Sequence, residues 1–321
     1  MSTTLKVAEM QLSPTAVTAV SRVMVVVLLG IGLTWASDGF FTPANLVSVL
    51  RQASLLFLLA CGLTLVILAG GLDLSVGANL GLCACLAAAV IKGTGSPLCG
   101  ALVGVSVGSA IGVVNGLLVT TLRLPAFIAT YGMLWILHGL TYAFMAGETI
   151  HGFPPGFRYI GGGFLAGVPV PVIVMGLSLL AGTVLLQRTV FGQELYAIGA
   201  NPVAAFLSGI PVKRRQITVY AVSGAMAGLA SLVYLARMNA AEGDIGEPLL
   251  MPAIAAVLVG GTALSGGRGS LIGTMVGALL LTLVLNGMNL LGVNANWQPI
   301  ITGAISLGSL LLERLGAPRR T

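Results

Sequence analysis

Long apolar runs separated by short polar stretches fill this chain. Ten of the runs are long enough, or nearly long enough, to cross a bilayer as helices. In chain order they are Val23–Phe40, Ala53–Ala69, Leu74–Ile91, Leu98–Thr120, Phe127–Ala146, Pro169–Leu186, Ile217–Ala236, Leu249–Val259, Leu271–Leu290 and Trp297–Leu312. The pattern predicts an all-α, polytopic membrane protein with about ten transmembrane helices. An even number of spans places both termini on the same side of the membrane.

Two of the runs are short for a membrane span. Leu249–Val259 would form about 17 Å of helix, against a hydrocarbon core of about 30 Å. Ala53–Ala69 is also short, and the two runs end at Gly260-Gly261 and Gly70-Gly71. Irregular backbone inside a membrane is tolerated where it lines a cavity or packs on protein, and paired broken segments point to a transport path. We therefore expect some discontinuous helices, with their breaks at a gate.

Residues around the two breaks are the first candidates for a translocation path or gate. They are Gly70, Gly71, Asp73, Ser75, Gly260, Gly261 and Ser265. Weaker candidates are Asn115, Thr130, Asn286 and Asn289, because polar side chains in membrane spans face protein or water. The two breaks also share the pattern G-G-x-x-L-S-x-G. This match indicates either an internal, parallel repeat or a coincidence in a chain with 45 glycines.

Asp73 is the only carboxylate deep in an apolar run. An acid within a membrane is costly and is a functional candidate by default. The structural alternative is that Asp73 caps the following helix by accepting hydrogen bonds from free N–H groups near Ser75 or Val76. Contact with a substrate and capping are compatible, and the sequence leaves both open.

Composition supports a membrane protein of one domain. Of 321 residues, 57% are hydrophobic and 7% are charged, against about 25% charged residues in soluble domains. No Pro/Ser-rich linker divides the chain, so residues 1–321 are interpreted as one domain. The run after Arg22 is interpreted as an uncleaved first span rather than a signal peptide, because many apolar segments follow it.

The distribution of Lys and Arg predicts the orientation. With a cytoplasmic N-terminus, the inner side carries Lys6, Arg22, Arg123, Arg188, Lys213, Arg214, Arg215, Arg268, Arg314, Arg319 and Arg320. The outer side carries Arg51, Lys92, Arg158 and Arg237. This positive-inside bias predicts cytoplasmic N- and C-termini. It also explains the net charge of +6 without a nucleic-acid partner.

Several motifs are excluded as catalytic or cofactor sites. The stretch LSGGR at Leu264–Arg268 resembles the signature of ABC ATPases, but the chain has no G-x-x-x-x-G-K-[ST] loop, which an ATPase needs. His138 and His151 have no carboxylate or cysteine at metal-ligand spacing, and none of the four cysteines forms a C-x-x-C pair. We expect no metal, no cofactor and no enzymatic activity.

The longest predicted inner loop, residues 188–215, contains a short helix with clear boundaries. Asn201 is a good N-cap, Pro202 suits the first helical position, and Gly209 allows the left-handed turn that ends the helix. The predicted helix Pro202–Ser208 follows a tight turn at Gly199. Such a short helix is unstable alone, so we expect it to dock on a partner protein or on the membrane surface.

This loop helix presents four apolar side chains, Ala204, Ala205, Phe206 and Leu207. The two alanines keep one face small, so the helix fits a groove, while Phe206 or Leu207 supplies an apolar anchor. The following basic residues, Lys213, Arg214 and Arg215, are expected to hold the loop at the anionic inner leaflet.

Four sequence blocks resemble the permease subunits of ABC-type monosaccharide importers, the group for ribose, xylose, arabinose and galactosides that is related to branched-chain amino acid permeases. The blocks are GGLDLSVGA, LPAFIATYGML, FGQELYAIGANPVAAFLSGI and IAAVLVGGTALSGGRGSLIGTMVGALL. The resemblance implies a permease in the bacterial inner membrane with no ATPase activity of its own. It also implies that the loop 188–215 carries the coupling helix.

The resemblance implies several partners: an ATP-binding cassette subunit with two nucleotide-binding domains, a periplasmic sugar-binding protein, a second permease subunit (identical or not) and a neutral sugar as substrate. One departure concerns specificity. Relatives carry acids just before the IAAV block, where this chain has Leu250 and Pro252, with Glu247 upstream. The alternative function, a secondary ion-coupled transporter without an ATPase, predicts intramembrane ionisable pairs, and the sequence offers one such acid.

Overall fold

The computed structural model describes residues 14–316 as a bundle of helices. The helices are α1 Pro14–Ala36, α2 Pro43–Leu68, α3 Val76–Thr94, α4 Pro97–Thr120, α5 Ala126–Met145, α6 Pro155–Gly162, α7 Val170–Arg188, α8 Val190–Ala200, α9 Pro202–Leu207, α10 Val212–Met238, α11 Glu247–Val259, α12 Leu271–Leu290 and α13 Trp297–Gly316. Two small antiparallel ribbons pair β1 Ile150–His151 with β4 Ala240–Ala241, and β2 Phe164–Leu165 with β3 Val168–Pro169.

Every one of the ten predicted runs falls on a helix, and the all-α prediction is confirmed. Seven of the described helices are long and apolar enough to cross a membrane. Two shorter apolar helical stretches are Arg22–Ala36 and Glu247–Val259. The total of ten spans and the cytoplasmic position of the termini stay predictions, and residues 1–13 and 317–321 lie outside the described part of the chain.

One predicted boundary is wrong. The run Ala53–Ala69 is not a short segment, because helix α2 begins at Pro43 and contains 26 residues. Because Arg51 and Gln52 interrupt the apolar run, the sequence pattern did not include the first turns of α2. The guanidinium of Arg51 lies over the ring of Phe164, 4.9 Å from its centroid, and donates a hydrogen bond to the carbonyl of Gly162. Helix α11, with 13 residues, is short as predicted.

The centre of the bundle is formed by α2 and α10. Helix α2 is buried from Ala53 through Ala69, and α10, α11, α12 and α7 all pack against it. Because lipid tails are as apolar as leucine, burial alone gives little drive for helices to associate, and close packing takes its place.

The most extensive helix contact is the crossing of α4 and α10, where small residues face each other. The side of α4 that faces α10 carries glycines at every fourth position, Gly104, Gly108, Gly112 and Gly116. A Cβ at Gly112 would overlap the carbonyl oxygen of Tyr220, and a Cβ at Gly108 would overlap that of Gly224. The two backbones therefore touch directly, as small-residue motifs in membrane helices allow.

The loop 188–215 is more helical than the sequence predicted. It contains α8 in addition to α9, and α10 already begins at Val212. Thr189 caps α8, its hydroxyl oxygen accepting from the N–H of Gly192. The glycine at 192 obscured this helix in the sequence, but a Cβ there would overlap the carbonyl of Leu186.

We predict that Gly112→Ala destabilises the bundle, because the added methyl group must push α4 and α10 apart. Overpacking of a tight contact costs about 1–3 kcal/mol. Thermal unfolding of the detergent-purified protein should show a lower midpoint for this variant. Gly176→Ala on α7 is the matched control, since nothing lies within 4 Å of a Cβ at that helical position. Equal midpoints for the two variants would contradict the close crossing.

Candidate translocation and coupling sites

Both Gly-Gly breaks end a helix in the same way. After α2, the N–H of Gly70 donates to the carbonyl of Ile67 and that of Gly71 to Val66. After α11, Gly261 donates to Leu258 and Thr262 donates to Val257. Gly70 and Gly261 both have left-handed backbones, with φ of 75° and 81°, so each helix ends in a Schellman-type turn.

The hydrogen bonds of the two turns and the shared sequence pattern align the two breaks differently, by one residue. The turns align Gly70 with Gly261, whereas the pattern G-G-x-x-L-S-x-G aligns Gly70 with Gly260. Beyond the turns the two stretches diverge. Helix α3 starts at Val76, while α12 starts only at Leu271. The shared feature is thus the helix ending.

The first break runs into the interior of the bundle. The hydroxyl of Ser223 lies 3.4 Å from Oδ2 of Asp73, and Ser223 is near the middle of α10, 11 residues after its start at Val212. Asp73 is buried, with 1% of its surface exposed. The irregular segment between α2 and α3 therefore starts at the exposed Gly70 and is buried inside the protein from Asp73 to Ser75.

Asp73 holds this segment through a network of hydrogen bonds. Its Oδ1 accepts from the backbone N–H of Ser75 at 3.0 Å and from the Ser75 hydroxyl at 2.7 Å. The amide of Asn115 donates to the Ser75 hydroxyl at 2.7 Å. The bond to Ser75 N is the one that the capping interpretation predicts, and it stabilises the turn before α3.

Thr130 and Tyr220 hold the neighbouring backbone. The Thr130 hydroxyl accepts from Leu74 N at 3.1 Å and lies 3.3 Å from the carbonyl of Leu72. The Tyr220 hydroxyl donates to the same carbonyl at 3.1 Å. The structure thus brings the predicted path residues Asp73, Ser75, Asn115 and Thr130 together in one buried cluster.

The starts of α3 and α11 also meet inside the bundle. A Cβ at Gly77 would approach the carbonyl oxygen of Gly246 to 2.5 Å, and a Cβ at Gly246 would overlap that of Gly77. Gly246 immediately precedes α11. Two helices therefore begin next to each other within the protein, which is the arrangement of discontinuous helices in transporters.

The second break packs on α1 and α12. The carbonyl of Gly260 accepts from the Arg22 guanidinium at 2.8 Å, and a Cβ at Gly260 would lie 2.6 Å from the carbonyl of Gly273. Gly261 lies directly beneath the Arg22 guanidinium. Ser265 is exposed and separate from this contact.

The two breaks and the inner loop meet where three backbone segments touch. The first break contributes Leu68 and Gly70, the segment after the second break contributes Gly266 and Gly267, and the inner loop contributes Gly199. The N–H of Gly267 donates to the carbonyl of Leu68 at 3.0 Å. A Cβ at Gly199 would overlap Leu68 O and Gly267 N. We call this contact the glycine junction. The glycine junction explains why the stretch LSGGR contains two adjacent glycines. Gly266 and Gly267 have left-handed backbones, with φ of 84° and 71°, and contact the backbone of Gly199.

The remaining weaker candidates lie elsewhere. Asn286 forms a double amide hydrogen bond with Asn45, at 3.1 and 2.8 Å, which ties α12 to the start of α2. Asn289 accepts from the side chain of Gln298 at 2.8 Å on the surface. Neither residue is near the cluster around Asp73, so the structure places the predicted path residues in separate groups.

Helix α9 begins at Pro202, three residues after Gly199 of the glycine junction. Asn201 caps it, its side-chain oxygen accepting from Val203 N and Ala204 N at 3.0 Å each. Gly209 has a φ of 84°, the left-handed turn that the sequence predicts. Ala205 is buried in the chain itself, whereas Phe206 and Leu207 are 68% and 78% exposed. The exposed face of α9 therefore consists of Phe206 and Leu207 with Pro202, Val203 and Ala204.

One expectation about the loop needs correction. Arg215 does not reach toward lipid, because its guanidinium pairs with the carboxylate of Glu194 on α8. It also lies 5.3 Å from the ring centroid of Phe191. Arg215 thus fastens α8 to α10, while Lys213 and Arg214 are exposed.

A large cavity lies toward the ends of α2, α10 and α11 that are farthest from the glycine junction. Its volume is about 870 Å³, within the range of small-molecule sites. The wall is mainly apolar, with polar groups from Gln52, His138, Arg237, Glu247, Thr282, Gln298 and Thr302.

The residues around the two breaks do not line this cavity, and sequence analysis missed its lining. The sequence signal that could have revealed the cavity lining is the recurrence of aromatic residues every three or four positions along the run Phe127–Ala146. Leu250 and Pro252, which the sequence analysis noted as a departure from the resembling permeases, and the upstream Glu247 do line it.

We predict that Asp73→Asn retains folding and transport, because an amide still offers Oδ1 to Ser75 and its nitrogen faces Ser223. Asp73→Ala should lower the yield of folded protein, since it leaves buried donors unpaired at a cost of about 1–3 kcal/mol. Size-exclusion profiles and uptake by the two variants provide the measurement. A folded Asp73→Asn permease without transport would contradict a purely capping role and indicate that the charge acts on the substrate.

Comparison with known proteins identifies the family. Residues 45–310 match the family described as the permease component of branched-chain amino acid transport systems. The chain is 40% identical to the ribose import permease protein of Bacillus subtilis, over 87% of each chain. It is 39% identical to the ribose import permease protein of Escherichia coli, over 91% of this chain and 92% of the relative.

The D-allose transport system permease protein of Escherichia coli is 35% identical to this chain, over 86% of this chain and 85% of the relative. No solved structure matches the chain. The matches support a subunit of an importer rather than a secondary transporter, with an ATPase and a substrate-binding protein as partners and with a place in the bacterial inner (plasma) membrane. The chain belongs to this family of permease components and is the membrane permease subunit of an ATP-driven importer, not an enzyme.

Proposed function

We propose that this permease imports a small neutral sugar that a periplasmic sugar-binding protein delivers. The observation that carries the proposal is the cavity of about 870 Å³, whose wall combines aromatic rings with amide and hydroxyl side chains. A neutral sugar requires hydrogen-bond partners and a fitting shape rather than counter-ions. The names of the relatives, for ribose and D-allose import, support the same class of substrate.

The cavity carries little charge for its size. Arg237 and Glu247 are its formally charged lining residues. His138 Nε2 lies 3.8 Å from Glu247 Oε2, so this acid has a partner within the wall. Leu250 and Pro252 both line the cavity, and they stand where the resemblance to monosaccharide permeases implies acids. Their position supports a sugar specificity that differs from that of the ribose importers.

The movement of the ATPase enters this permease at α9. Its exposed apolar side chains, Val203, Phe206 and Leu207, form a surface for the ATP-binding cassette subunit, which carries two nucleotide-binding domains. The glycine junction then links α9 to both discontinuous segments through backbone contacts. Because backbone contacts leave no flexible side chain between the parts, a displacement of α9 is passed directly to both breaks.

The working transporter contains two permease subunits, identical or homologous, together with the ATPase. In this proposal, Gly70, Gly71, Asp73, Ser75, Gly260, Gly261 and Ser265 form the inner gate between the cavity and the cytoplasm. The contact of Gly199 with the first break supports this assignment, because it places the gate beside the coupling helix.

The substrate class is tested with the complete complex in proteoliposomes. We expect ribose, D-allose or another neutral monosaccharide, bound to its binding protein, to stimulate ATP hydrolysis and to accumulate inside the vesicles. The matched control is the aldonic acid of the same sugar, which has the same size and one negative charge, and we expect no uptake of it. Preferential uptake of the acid would overturn the neutral-sugar proposal.

We predict that Phe206→Glu uncouples the complex. Apolar anchors in a desolvated pocket are worth about 2 kcal/mol or more each, which corresponds to a roughly 30-fold loss of affinity for the ATPase. Phe206→Leu, which keeps an apolar side chain, is the control. Unlike Ala205, which is buried, Phe206 is exposed, so its replacement leaves the internal packing of the permease intact.

The measurement is co-purification of each variant with the ATPase, followed by ATP hydrolysis stimulated by the loaded binding protein. Phe206→Glu should show weak co-purification and little stimulation, and Phe206→Leu should behave like the unmodified protein. A Phe206→Glu complex that assembles and hydrolyses ATP at the unmodified rate would show that α9 does not couple the two subunits.

A further inference from the structure

Five aromatic rings form a continuous row along α5. They belong to Phe127, Tyr131, Trp135, His138 and Tyr142, and their spacing of three or four residues puts them on one face of the helix. Consecutive ring centroids are 5.9, 6.3, 6.0 and 4.7 Å apart. We call this row the aromatic ladder. One neighbouring pair of rings is stacked, one is edge-on and two are tilted, so the row presents both ring faces and ring edges.

The ladder is longer than a membrane-interface belt. From Phe127 to Tyr142 the helix rises about 22 Å at 1.5 Å per residue, against a hydrocarbon core of about 30 Å. Interfacial Trp and Tyr anchors lie at the two ends of a span. Trp135 instead lies near the centre of α5, which runs from Ala126 to Met145. Anchoring at the membrane surface therefore does not account for the row.

The middle of the ladder faces the large cavity. Tyr131, Trp135 and His138 line it, together with residues of α2, α10, α11, α12 and α13. Helix α5 packs on α3 and α4, so the cavity separates it from those other helices. Trp135 lines this space and is 57% exposed.

Polar groups complete the cavity wall around the ladder. Gln52, Thr282 and Gln298 line the same space and offer amide and hydroxyl groups. His138 Nε2 faces Glu247 Oε2 at 3.8 Å. The cavity thus combines extended aromatic faces with separate hydrogen-bonding groups.

A monosaccharide has complementary surfaces. Its C–H groups form apolar patches with partial positive charge, which aromatic faces attract because their π-systems are negative. Its hydroxyl groups need hydrogen-bond partners when they leave water. Successive aromatic side chains offer a sugar several weak contact sites in a row, which favours passage over tight binding.

We propose that the aromatic ladder is the surface along which the sugar moves through the cavity toward the inner gate. Trp135 forms the central stacking site, and Tyr131 and Phe127 continue the path toward the first break. Thr130, the residue before Tyr131 in the chain, accepts a hydrogen bond from Leu74 N of that break, so this end of α5 contacts the first break. This inference deepens the proposed function and rests on the neutral sugar as substrate.

The test compares sugar transport with ATP hydrolysis in proteoliposomes that contain the complete complex. For Trp135→Ala we expect at least a tenfold loss of sugar uptake, with binding-protein-stimulated ATP hydrolysis retained. Trp135→Phe, which keeps an aromatic face, should restore most of the uptake. The matched control is Phe144→Ala, which removes an exposed aromatic side chain of the same helix outside the ladder, and it should transport normally.

The outcomes separate this inference from the proposed function. If the unmodified complex transports neutral sugar and Trp135→Ala does so equally well, the ladder is not the path, while the proposed function stands. If Trp135→Ala dissociates the complex or loses ATP hydrolysis together with uptake, the ladder is a packing surface and the inference is wrong. If the unmodified complex moves no neutral sugar, the proposed function fails and the inference fails with it.

Discussion

Direct contact between backbones at glycine residues is the constraint on which this structure depends. Lipid gives helices little reason to associate, so the bundle is held where chains approach closely enough for dispersion and polar contacts to act. The crossing of α4 and α10 at Gly108 and Gly112 is one such contact. The glycine junction at Gly199 is another, and there the contact joins a surface helix to two interior breaks. At these positions glycine is therefore a requirement of packing.

Irregular backbone inside the bundle has N–H and C=O groups that no helix pairs, so side chains must form hydrogen bonds with them. Around the first break, Asp73, Thr130 and Tyr220 satisfy donors and acceptors that a continuous helix would have satisfied internally. A buried polar network of this kind restricts the conformation of the backbone that it contacts. Residues 72–75 are held by hydrogen bonds within the segment and by side chains of α4, α5 and α10.

The two functional regions lie at different levels of the bundle. The cavity is lined by the aromatic ladder and by apolar and polar side chains, and it lies at the ends of α2, α10 and α11 that are far from the inner loop. The breaks and the glycine junction lie beside α9. Helix α11 connects the two levels, because its first residue, Glu247, lines the cavity and its last residue, Val259, precedes the second break. A small displacement of this short helix would change both places at once.

The sequence alone determined that this is a membrane protein, where most of its helices lie, and where helix α9 of the inner loop begins and ends. These features depend on local hydrophobicity and on helix caps such as Asn201. It also located both Gly-Gly breaks. It did not give the first turns of α2, where Arg51 interrupts the apolar pattern, or helix α8, where Gly192 lowers helix propensity. Only the tertiary structure decided that Asp73 meets Asn115 and Ser223, that Asn286 belongs elsewhere, and that Arg215 pairs with Glu194. These are contacts between residues far apart in the chain, and periodicity along a sequence contains no information about which helices become neighbours.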